Sequence, residues 1–100
     1  MKTVALVTDL MDRSKIGAAL GDVTFGSTAA DCVDAELVVV DLGKHAAEVA
    51  KVRAEAADAR IVAFGRHDNP DALARAREDG ADEALPRSRF FRDPLGSVTP

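Results

Sequence analysis

One hundred residues carry thirteen Lys and Arg against seventeen Asp and Glu, a formal net charge of −4. That balance disfavours general nucleic-acid binding, which depends on a dense basic surface, with Arg87, Arg89 and Arg92 near the C-terminus as the one local exception. Hydrophobic residues make up 47% and charged ones 30%, with four aromatics, all Phe, so the expectation is one folded domain whose core is built from Val, Leu, Ile and Ala. Cys32 is the only cysteine, which excludes a disulfide within the chain and a cysteine-based metal site.

The chain opens with an apolar run after Lys2. Thr8 and Asp9 interrupt it, so it is not read as a signal peptide. No stretch approaches membrane-crossing length, and the expected setting is cytoplasmic with no membrane partner. Thr3 to Val7 is short, β-branched and apolar on both faces, which predicts a buried parallel strand. Helical spacing follows from Asp12 to Leu20, with Ile16, Ala19 and Leu20 on one face and Gly21 as the stop. Asp22 to Phe25 is a weak strand, and Ser27 to Ala35 holds at most a short helix. Leu37 to Val40 is the clearest strand and ends at Asp41. A helix is expected from about His45 to Ala57, with Ala46, Val49, Val52 and Ala56 inward and Glu48, Lys51, Arg53 and Glu55 in water.

Arg60 to Phe64 forms the next strand. Asn69 as N-cap, Pro70 at the first helical position and Gly80 as the stop bound another helix. Ala84 and Leu85 make a last short strand before Pro86. Strands alternating with helices over short connections imply right-handed βαβ crossovers and a parallel sheet with helices on both faces. Domain boundaries are set at 1–91 for the α/β unit and 92–100 for a C-terminal tail, expected to be irregular or a single turn.

In such a sheet, chemistry gathers at the carboxyl ends of the strands. Thr8 and Asp9 end the first strand there, Asp41 the third and Gly65 the fourth, and the fifth runs into Arg87. Asp9 and Asp41 are oxygen ligands of the kind Mg²⁺ takes, with Asp12 as a third ligand or a helix cap. His45 and His67 lie in loops at the same end, within reach as proton carriers or ligands. No G-x-G-x-x-G or Walker sequence supports nucleotide binding, and no Ser-His-Asp or Cys-His arrangement supports hydrolysis.

The segments "LVTDL", "LVVVDLG" and "EDGADEAL" leading to Arg87 resemble the receiver domain of two-component response regulators. The resemblance implies a CheY-like, flavodoxin-like fold, a three-layer α/β sandwich with a five-stranded parallel sheet in the order 2-1-3-4-5. It also puts Asp41 in the phospho-acceptor position, Asp9 in the second acidic position, and Arg87 where the family has Lys. Thr8 stands where the family has its first acid, Gly65 where it has a hydroxyl, and Ser88 where it has Pro. The chain therefore reads as a shortened, degenerate receiver. Mg²⁺ affinity is expected to be weakened by Thr8, and Arg87 is expected either to clamp a phosphoryl group or to pair with Asp41.

The family's last helix reads as missing or cut to a turn. One sheet face would then be thinly covered, with Phe90 and Phe91 as an interface for a homodimer or protein partner, unless both fold back onto their own chain. Three functional readings follow. The first is a non-enzymatic pseudo-receiver acting through protein contact. The second is a working phospho-acceptor at Asp41 with Mg²⁺. The third is a small-molecule or anion-binding module in the space left at Gly65, clamped by Arg87.

Overall fold

The computed structural model describes all 100 residues as an α/β sandwich. Its five strands are β1 (Thr3–Leu6), β2 (Thr24–Phe25), β3 (Leu37–Asp41), β4 (Arg60–Gly65) and β5 (Glu83–Pro86). All are parallel and ordered β2-β1-β3-β4-β5, as the resemblance implies. Every residue of β1 and β3 is buried, which is why these segments are apolar without alternation: both faces are covered.

The helices are α1 (Leu10–Leu20), α2 (Leu42–His45), α3 (Glu48–Glu55), α4 (Pro70–Glu78), α5 (Arg87–Arg92) and α6 (Pro94–Val98), with a 3₁₀ turn at Ala29–Cys32. Two cores result, one on each side of the sheet. Val4, Leu6, Val38, Val40, Ile61 and Ala63 meet the 3₁₀ turn, α3 and α4 through Cys32, Val49, Val52, Leu73 and Ala76. Ala5, Val7, Val39, Val62, Phe64 and Leu85 meet α1, α5 and α6 through Ile16, Phe90 and Val98. Burial on the first side pushes the Cys32 thiol up to about 11, with Asp31 and Glu48 adding to the shift.

The single helix expected over His45–Ala57 is two. Residues 46 and 47 keep right-handed helical dihedrals, but Val49 N–H turns to the Ala46 carbonyl at 3.3 Å and breaks the α-ladder into α2 and α3. Arg53 leaves the solvent face assigned to it. Its guanidinium donates to the carbonyls of Gly80, Ala57 and Ala59 and to Asp82, at 2.7 to 3.0 Å. Asp82 Oδ2 also accepts Ile61 N–H at 2.8 Å. One side chain thus ties the ends of α3 and α4 to the start of β4.

The C-terminal segment corrects the expectation of a thinly covered face. Helices α5 and α6 both form and close it. Asp93 caps α6 by accepting Gly96 N–H at 3.0 Å, and Val98 is buried. Phe90 has no exposed surface and stacks on Phe64 with centroids 4.8 Å apart, while Phe91 meets both rings edge-on at 5.0 Å. Phe90 is a core residue and not a surface for a partner, because folding back onto Phe64 buries an aromatic ring within the chain. Phe91 is half-buried.

Candidate functional site

At the carboxyl end of the sheet, Asp41 and Asp9 leave neighbouring strands, as the register of Leu6 with Val40 requires. Each carboxylate starts a helix. Asp9 accepts Asp12 N–H at 2.9 Å and caps α1. Asp41, 7% exposed, accepts Gly43 N–H at 2.9 Å and caps α2. Caps of this kind satisfy amides that the first helical turn leaves unpaired. Asp12 does not cap α1; that place belongs to Asp9.

Asp12 is 4% exposed and holds Arg87, whose Nη2 donates to both carboxylate oxygens at 2.9 Å. The expected Arg87–Asp41 pair is therefore not made. β5 pairs Gly65 with Pro86, so Arg87 is already the first residue of α5. From there its guanidinium lies over the rings of Phe64 and Phe91, 5.2 Å from each centroid, and faces α1. Two aromatic faces and a buried carboxylate fix the cation, a combination that favours Arg over Lys.

Thr8 Oγ1 lies 2.9 Å from His45 Nε2. This brings one of the two candidate histidines to the strand end, held by the residue that stands at the first acidic position. His67 is exposed on the turn before α4. Three residues beyond His45, Glu48 accepts Ala29 N–H at 2.8 Å, and that bond holds its carboxyl below the ordinary range.

The space expected at Gly65 is narrow. Gly65 is buried, and a Cβ there would lie 3.3 Å from Leu42 Cδ1 and 3.4 Å from Leu73 Cδ2. No cavity opens at this end of the sheet; all three in the molecule lie elsewhere. Nor do any three His, Cys, Asp or Glu side chains converge as a metal-binding group. For Mg²⁺ the donor set is Asp9 and Asp41, each with one carboxylate oxygen already engaged, and a neutral Thr8 beside them. That is a poor fit for a cation that takes carboxylate charge and keeps its own waters.

No family model and no curated protein matches the sequence. Solved structures do match the fold. A response regulator protein from Burkholderia pseudomallei, with a phosphorylated aspartic acid, calcium ion and citrate, superposes with a TM-score of 0.78 at 20% identity, over 99% of this chain and 67% of that one. The fold is that of a response-regulator receiver domain. The signal receiver domain of a DNA binding response regulator from Colwellia psychrerythraea gives a TM-score of 0.66 at 11% identity, over 92% and 94% of the two chains. A CheY-like response regulator protein from Mesorhizobium loti gives 0.56 at 23%, over 97% and 95%. Within the receiver fold, Asp41, Asp9 and Arg87 were legible from strand endings. Asp12 as the partner of Arg87 was not, since 75 residues separate them.

Proposed function

We propose that the chain is a receiver-like signalling module that acts through protein contact, without a phospho-switch and without enzymatic turnover. The observation that carries this reading is the capture of Arg87 by Asp12 across Phe64 and Phe91. The cation that would neutralise a phosphoryl group at Asp41 is committed elsewhere. Gly65 offers no hydroxyl, and a side chain there would come within 3.3 Å of Leu42 Cδ1. The contact surface moves from the buried Phe90 to the first turn of α1, where Leu10 and Met11 are 77% and 69% exposed beside the capped strand ends. Apolar side chains this exposed, next to one another, are a common mark of an interface. Sedimentation of the protein alone distinguishes a second copy from another protein as the occupant.

Intact mass measurement after incubation with acetyl phosphate and Mg²⁺ tests the reading. The expected result is no adduct on the folded protein. An adduct on the wild type that disappears in Asp41→Asn overturns it and selects the second reading, a phospho-acceptor. One observation favours that alternative: Asp9 and Asp41 each keep one carboxylate oxygen free of hydrogen bonds at adjacent strand ends. Asp41 would then take the phosphoryl group from acetyl phosphate, with acetate leaving.

A further inference from the structure

At the opposite, amino end of the sheet, a cavity of about 540 Å³ opens between the starts of β4 and β5 and the helices α5 and α6. Its wall is polar and carries Arg60, Arg89 and Arg92 with Glu83, Asp93 and Ser97; Leu85 is its one apolar residue. The volume is that of a small-molecule site. Three guanidinium groups face two carboxylates in a chain whose net charge is −4.

The arginines here differ from the others. Of nine in the chain, Arg53, Arg66, Arg75 and Arg87 pair with acids, while Arg13, Arg60 and Arg77 donate to backbone carbonyls. Arg89 and Arg92 alone make neither kind of bond, and both line this cavity. They are three residues apart on α5, which puts them on one face of the helix. Arg60 is oriented beside them by Nε donating to the Val98 carbonyl at 2.8 Å, which leaves its terminal nitrogens free. The acids offset the group only in part: three cations face two carboxylates, Asp93 Oδ1 is engaged as the α6 cap, and neither acid forms an ion pair with Arg89 or Arg92.

We propose that this cavity is a binding site for a small anion-bearing molecule, its phosphate or carboxylate groups held by Arg60, Arg89 and Arg92. Planar guanidinium forks match both kinds of anion with paired hydrogen bonds, and Ser97 and Glu83 are placed to contact hydroxyl or amine groups on the same ligand. The site lies at the far end of the strands from Asp41 and Arg87, so it stands whichever reading of that end holds.

Thermal unfolding of the full chain at matched ionic strength tests the site, with inorganic phosphate, pyrophosphate and succinate as probes. A probe at about tenfold excess over its Kd raises Tm by roughly 5 °C or more for a domain of this size. The shift is expected to be lost in the double variant Arg89→Ala/Arg92→Ala and kept in Arg75→Ala, a surface arginine outside the cavity. A response to pyrophosphate without succinate identifies phosphate chemistry, and the reverse identifies carboxylate chemistry. Backbone amide resonances of Ser97 and Thr99 should move during the same titration. Stabilisation by none of the probes, a shift unchanged in the double variant, or no movement at Ser97 and Thr99 overturns the proposal.

Discussion

Replacing Phe90 by Ala tests how the C-terminal helices are attached. Phe90 is fully buried and stacks on Phe64 at 4.8 Å, with Phe91 edge-on at 5.0 Å. Removing the ring forfeits a transfer contribution of about 1.5–3 kcal/mol for a buried large side chain. Each aromatic contact adds about 0.5–1.5 kcal/mol, and the cavity left behind is costly as well. Together these place the loss within the usual Phe→Ala span of about 3–5 kcal/mol. A domain of this size has only about 5–15 kcal/mol in total, so the variant should sit close to its unfolding threshold. Urea unfolding followed by circular dichroism measures the difference, with sedimentation run alongside. The two roles conceived for this residue separate cleanly: a core residue lowers stability at constant mass, and an interface residue lowers mass at constant stability. A loss below about 1 kcal/mol would refute the packing argument, since no fully buried ring with two aromatic contacts could be removed so cheaply.

Arg53→Ala should lower stability by about 2–3 kcal/mol, because a charged donor leaves three carbonyls and Asp82 without their partner. Hydrogen exchange should quicken first at residues 57–61 and 80–82. Gly65→Thr should cost about 1–2 kcal/mol in urea unfolding, since its branches press on Leu42 and Leu73. It should also fail to create a phosphoryl adduct. The Cys32 thiol, raised by burial to about 11 from an ordinary value of 9.0, should react slowly with a thiol reagent at neutral pH. Above pH 9 the unfolded chain loses this proton first, so stability should fall as pH rises from 9 through 11. That slope should be absent in Cys32→Ala. In acid the sign reverses for Glu48, whose carboxyl is held low by Ala29 N–H. The stability it contributes above its ordinary range is lost as pH falls through the depressed folded value, and Glu48→Gln should lack that loss.

The strands and their order were readable because a parallel sheet covered on both sides must be written in uninterrupted apolar runs, and Val38, Val39 and Val40 all lie at zero exposure. The strand ends were readable because polar residues break the apolar runs, at Thr8 and Asp9 and at Asp41. What each end residue bonds was not. Arg87 and Asp12 meet only because α5 folds back beside α1, and no local pattern encodes a partner 75 residues away. Arg53 looked solvent-facing by helical spacing, but a long side chain can reach carbonyls beyond the end of its own helix. The last helix reads as missing or cut to a turn, and residues 92–100 as irregular or a single turn, because Pro94 and Gly96 weaken local helix propensity. The burial of Phe90 and Val98 against the sheet outweighs that, and burial is a property of the assembled fold.

The leucines over Gly65 also couple two helices through one backbone position. A side chain added there would meet Leu42 Cδ1 at 3.3 Å and Leu73 Cδ2 at 3.4 Å, so bulk at the end of β4 is felt by α2 and α4 at once. The missing side chain thereby lets both helices settle close over the same strand end, and the spacing between them is set by a residue that belongs to neither.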